Sequence, residues 1–208
     1  TYASATSDIT IGQGATLIST GGDVTVKATA TVSNSQSKNA DLFGFVLAIN
    51  KGNATVSMSG TIDSAEDVLI GAVSTNTNSV TLTSTYNPAM DPAAQPAVFN
   101  KTATTGTTTT ATSSKTKQTY AMGIGIGINE ALSKVIVNGT VTADGDISIK
   151  SGTTANIAMN VTANATSSGN LGLALALNFG DSGSRVEVTG TLTAKGGIDA
   201  AVDAMRAG

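Results

Sequence analysis

Cysteine, histidine and tryptophan are absent from the 208 residues. Disulfides, thiol chemistry, zinc sites and imidazole acid–base catalysis are therefore excluded together. Aromatic residues make up 3% of the chain and charged residues 12%, the latter about half the usual share, so a globule held by large side chains is not expected. Basic charge is scarce as well. The 11 Lys and Arg against 14 Asp and Glu give a net charge of −3 and a pI near 4.7, and no cationic cluster could neutralise a run of phosphates, so nucleic acid is not an expected partner. The longest apolar run, LGLALALNFG (171–180), falls short of the roughly 20 residues a membrane-spanning helix needs. Proline occurs three times, at Pro88, Pro92 and Pro96.

What fills the chain instead is small and β-prone. There are 23 glycines. Threonine is roughly a sixth of the sequence, and Val, Ile and Ala supply most of the rest, which favours pleated strands over helices. An all-β fold is expected.

Internal self-similarity sharpens this. VSMSGTIDSAEDVLI (56–70), VIVNGTVTADGDISI (135–149) and VEVTGTLTAKGGIDA (186–200) align without gaps, and ITIGQGATLISTGGDVTV (9–26) carries the same elements with a longer turn. The glycines Gly60, Gly139 and Gly190 lie 79 and 51 residues apart; the difference of 28 is an insertion. Upstream of the three aligned segments stand FGFVLAIN (43–50), MGIGIGIN (122–129) and LGLALALN (171–178). In each, large apolar residues alternate with small ones, the pattern of a strand. Phe45, Leu47 and Ile49 share one face with Ile124, Ile126, Ile128 and Leu173, Leu175, Leu177. The opposite face is bare: Gly44, Val46 and Ala48, then Gly123, Gly125 and Gly127, then Gly172, Ala174 and Ala176.

Such a unit cannot bury its own apolar face, but copies stacked along an axis share one continuous core. The expected fold is a right-handed parallel β-helix, or β-solenoid, with stacked imperfect repeats and one long loop insertion. Residues 1–208 are expected to form a single solenoid segment of a longer chain, because the sequence opens at Thr1 without a signal peptide and closes in mid-pattern. A rung of about 20 to 25 residues, usual for solenoids, places two rungs in each repeat. The larger residues are expected inside and the bare Gly/Ala face outside, as a packing face covered by the insertion, a second solenoid or a neighbouring subunit. Asn50, Asn129 and Asn178, each ending its motif, are expected at a bend. There they either form a side-chain amide ladder at the strand spacing of about 4.8 Å or serve as turn residues with left-handed geometry.

The insertion, about 86–118, holds all three prolines and a Thr-rich run. It is either a tolerated flexible insert or a contact loop, with Tyr86, Phe99, Tyr120, Lys101 and Lys115 as its contact residues. Parallel β-helices also host polysaccharide-cleaving enzymes, which need convergent carboxylates or a base beside a cation. Here Arg185 and Arg206 are the only guanidiniums, and Asp63, Glu66, Asp67, Asp144 and Asp146 read as turn charges, Asp67 and Asp146 as turn formers rather than calcium ligands. An outward Thr array for ice binding is not regular across the repeats. No catalytic residue, metal or cofactor is expected.

The cycle in LGLALALNFGDSGSRVEVTGTLTAKGGIDAAVDA, a small/apolar strand ending in Asn, then V-x-V-x-G, then T-x-x-A-x-G-x-I, resembles the repeats of giant filamentous bacterial adhesins, both filamentous haemagglutinin-like and leukotoxin-type. The resemblance covers most of the chain outside the insertion. It implies secretion to the bacterial cell surface, a long β-helical rod, and work as an adhesin, matrix or fibre component. The insertion and the absence of an N-terminal secretion domain depart from it. Expected partners are further copies, as a homo-oligomer or filament through end-to-end or lateral contacts, and a host or matrix glycan or protein. The alternative is a carbohydrate-binding or carbohydrate-cleaving β-helix.

Overall fold

Apolar and small residues keep one parity over long stretches, for instance the 15 residues from Gly44 through Ala54 and Val56 to Met58. An unbroken run of that length makes strands three times longer than the usual five or six residues. The computed structural model describes residues 1–85, 101, 102, 117, 118, 120–164 and 171–207. Strands β1 (Tyr2–Ile11), β2 (Thr16–Ser19) and β3 (Val24–Ala40) form the first rung, and β4 (Phe43–Met58), β5 (Thr61–Ser64) and β6 (Val68–Thr85) the second. Next come the paired short strands β7 (Lys101–Thr102) and β8 (Lys117–Gln118). The third rung is β9 (Tyr120–Val137), β10 (Thr140–Ala143) and β11 (Ile147–Asn164), and the fourth is β12 (Leu171–Val188), β13 (Thr191–Ala194) and β14 (Ile198–Ala207).

Three parallel sheets result: sheet A from β1, β4, β9 and β12, sheet B from β2, β5, β10 and β13, and sheet C from β3, β6, β11 and β14. The chain is a parallel β-solenoid. Each repeat makes one rung, not two, because Thr61, Thr140 and Thr191 pair directly across consecutive repeats. The expected bend at Asn50 and Asn129 does not exist; both stand inside 16- and 18-residue strands. Alternation simply continues through them, and no turn residue interrupts it.

The core has two ends. Near sheet B the three sheets enclose a triangular apolar interior in which Met58, Ile62, Ile70, Val137, Val141 and Ile149 are fully buried. Away from sheet B, sheets A and C face each other directly as two layers, around Val46, Ala48, Val80 and Leu82. Between these lies a polar belt. Asn50 Nδ2 donates to the Thr77 carbonyl at 2.8 Å, Asn129 Nδ2 to that of Asn156 at 2.9 Å, and Asn78 Nδ2 to that of Ala48 at 3.1 Å, so each amide ties one sheet to the other. Burying these donors is tolerated because they are bonded; a slide of sheet A against sheet C would leave them without their carbonyls.

The turns stack as well. The backbone amide of Asp67 donates to Asp23 Oδ1 at 3.1 Å, that of Asp146 to Asp67 Oδ1 at 2.8 Å, and that of Gly197 to Asp146 Oδ1 at 2.6 Å. Each aspartate thus caps the rung that follows. Gly145 and Gly196 make room, since a Cβ on either would sit 2.0 or 2.1 Å from the capping carboxylate oxygen. Asp67→Ala should lower unfolding stability in urea by up to about 1.5–3 kcal/mol, the range for a hydrogen bond to a charged group. Asp67→Asn keeps an acceptor and should lose less; an alanine variant as stable as the parent would remove the ladder as a stabilising device.

Candidate interaction surface

The sidedness of the small/apolar motif is the reverse of expectation. Gly44, Ala48, Gly123, Gly125 and Gly127 point inward and are buried, whereas Phe43 and Phe45 point outward with about half their surface open (53% and 48%). Gly172, Ala174 and Ala176 share the inward parity, on the terminal strand β12. The reason is the close approach of sheet C. A Cβ on Gly44 would meet Leu82 Cδ1 at 2.7 Å, one on Gly125 would meet Val161 Cγ2 at 2.8 Å and Met159 Sδ at 3.0 Å, and one on Gly172 would meet the Ala163 carbonyl oxygen at 2.4 Å. Sheet C supplies the bulk and sheet A the hollow. The Gly/Ala stripe is a packing face, but within the molecule.

Asn50 and Asn129 do pair in register, both fully buried. Asn178 does not join them: it stands beside Gly127, and Gly180 occupies the place next to Asn129. Strand β12 keeps the 51-residue offset that aligns Val186 with Val135 along its whole length, which slides LGLALALN by two residues relative to MGIGIGIN. A two-residue slide preserves the parity of every side chain, so the strand needs no bulge. The bonded Asn amides also reach across to the facing sheet, so the expected ladder along the stack is replaced by cross-core ties. Tyr120 opens β9 facing outward beside Leu171. Lys101 is placed as a β7 residue opposite Gln118; Tyr86, Phe99 and Lys115 lie outside the described residues.

The inversion leaves an apolar grid on the outside of sheet A. Across the four strands Tyr2, Ile49, Ile128 and Phe179 make one column, and Leu47, Ile126 and Leu177 the next. Phe45, Ile124 and Leu175 follow, then Phe43, Met122 and Leu173. Beyond the Tyr2 column, toward sheet B, the same face turns polar at once, with Ser4, Lys51, Glu130 and Asp181 in register. Lys51 Nζ lies 3.0 Å from Glu130 Oε2 and Arg185 Nη2 2.9 Å from Glu187 Oε2. The hydrogen bond and charge of Glu130 hold the Lys51 ammonium above its ordinary value. Sequence reasoning did not single out this pair, although the residue after the aligned Asn is Lys in one repeat and Glu in the next.

No family model, curated protein or solved structure matches this chain. Among the described residues no group of three or more acidic side chains is placed to hold a metal ion, and the Asp23, Asp67 and Asp146 carboxylates are occupied with capping the next rung. The outer face of sheet C has the opposite character to that of sheet A: Thr31, Thr75 and Thr154 form one column, and Ser33, Thr77 and Asn156 the next.

Proposed function

We propose that this chain is a rod-forming segment of a secreted bacterial surface or fibre protein, of the filamentous-adhesin kind its repeats resemble, and that it works by rung stacking and lateral association rather than turnover. The observation that carries this is the repetition of one rung: Thr61, Thr140 and Thr191 pair in a single register, and Asp23, Asp67 and Asp146 each cap the rung that follows. Stacking of this kind sets no length of its own, since each rung contacts only its neighbours and offers the next the same edge and core columns. Long polar faces such as that of sheet C then offer contacts to a matrix or host glycan or protein.

Electron microscopy of the purified chain tests the reading. One chain is about 60 Å wide across its long strands and about 20 Å tall along the stack, from the usual rise per residue and strand spacing. Rods growing well past those dimensions along the stacking axis are the expected result, and discrete compact particles at all concentrations would overturn it.

A further inference from the structure

A solvated sheet face is polar, as that of sheet C is, because exposed apolar area forgoes the roughly 25 cal/mol per Å² that burial provides. About half of the outer face of sheet A breaks this rule in the second, third and fourth rungs. One column on four strands and three on three strands, about 6.8 Å apart along strands spaced about 4.8 Å, cover roughly 400 Å² in plan, the size of the largest apolar patch a monomer usually leaves exposed. The register of the pattern is unbroken from strand to strand. The only positive-φ residues in the described chain, Gly14 and Gly22, lie in turns outside sheet A.

We infer that the outer face of sheet A is a lateral interface for a second copy of this chain, packed face to face about a two-fold axis. The inference rests on the proposed self-associating rod and names its side contact. Area decides for a second copy. The grid together with the adjoining polar columns of the same long strands approaches the roughly 800 Å² per partner of a stable interface, and two sheets pack face to face about 10 Å apart with the side chains between them. Identical faces meet in an isologous pair, so Leu and Phe columns meet Leu and Phe columns. On the polar part of the face Lys51 is paired with Glu130 and Arg185 with Glu187, which leaves Asp8, Lys134 and Asp181, of both signs, as the charges a two-fold mate meets. A lipid surface fits less well: the boundary carries both signs, and the net charge of −3 gives no attraction to anionic headgroups. Because each column holds the same chemistry from rung to rung, the seam continues along a stacked rod.

Sedimentation velocity of the 208-residue chain should give a two-chain mass, or an even multiple of it if rods also form. Phe45→Lys with Leu175→Lys should halve the mass at equal loading while circular dichroism shows an unchanged fold; Thr77→Lys on sheet C should leave it paired. The absence of cysteine allows a second readout independent of charge. With a thiol cross-linker spanning about 10 Å, Ile126→Cys should join two chains and Thr154→Cys should not. A single-chain mass at about 100 μM, well above the micromolar constants of specific pairs, would overturn the inference. So would a charged variant that still pairs, or Phe45- and Leu175-dependent uptake by phosphatidylcholine vesicles in place of pairing. Rods of single width in the microscope would sink the lateral seam and leave the stacking role standing; paired chains that never lengthen would do the reverse.

Discussion

Replacing Gly139 with valine is expected to abolish the native stack or cut its stability by more than about 4 kcal/mol, the size reserved for severe core or backbone clashes. A Cβ at Gly139 would lie 1.9 Å from the Gly60 carbonyl oxygen and 2.8 Å from the Ser59 carbonyl carbon. Both neighbours are backbone of the rung before, and neither can turn aside as a side chain would. The same spot carries the bonds that hold the rungs together: the Asn138 amide donates to the Met58 carbonyl at 2.8 Å and the Thr140 amide to the Gly60 carbonyl at 3.0 Å. Gly190 repeats the arrangement one rung on, its Cβ position 2.0 Å from the Gly139 carbonyl oxygen. Close approach, not left-handed backbone, is therefore what demands glycine in this column. Thermal unfolding by circular dichroism should show a loss on the order of 10 °C or more. Gly12→Ala, where no atom lies within 4 Å of the added methyl, should change little. A valine variant melting like the parent would show that the rungs do not stack as described.

The second large effect separates the two faces of one strand. Gly125→Leu should cost about 3 kcal/mol, at the upper end for overpacking, because the interior there is already filled by Val161 and Met159 of sheet C. Ile126→Gln, one residue along but outward, should change the stability of the isolated fold by less than about 1 kcal/mol. Urea unfolding of both, at a concentration low enough to keep chains apart, reads the contrast. Equal effects, or a larger loss at Ile126, would restore the opposite sidedness, with the large residues inside.

That sidedness shows where the sequence was legible and where it was not. The parallel solenoid follows from the aligned Gly-Thr segments and from a composition too small-sided for anything but a thin core. The inward parity was in principle also readable. Val56 and Met58 share parity with Gly44, Ala48 and Asn50, and in β12 the outward Arg185 and Glu187 leave Val186 and Val188 inside with Ala174 and Ala176. An assumed bend at Asn50 and Asn129 broke that inference, since a bend frees the parity of the residues before it. Nothing about a lone Asn after an apolar run says whether the chain turns or continues.

Repetition, strand character, turn glycines and capping aspartates were therefore set by local residue chemistry: each depends on neighbours in the same repeat or on the equivalent place in the next. Which face of sheet A is interior depended on residues some 35 positions away, on Leu82, Met159 and Val161 across the core, whose bulk requires glycine and alanine opposite. The two-residue slide of Asn178 was likewise decided by a whole strand maintaining its hydrogen bonds rather than by the motif. Local patterns are written within one rung, whereas packing between facing sheets is a contest of volumes contributed by distant segments, and it is that contest that turned Phe45 and Leu175 outward.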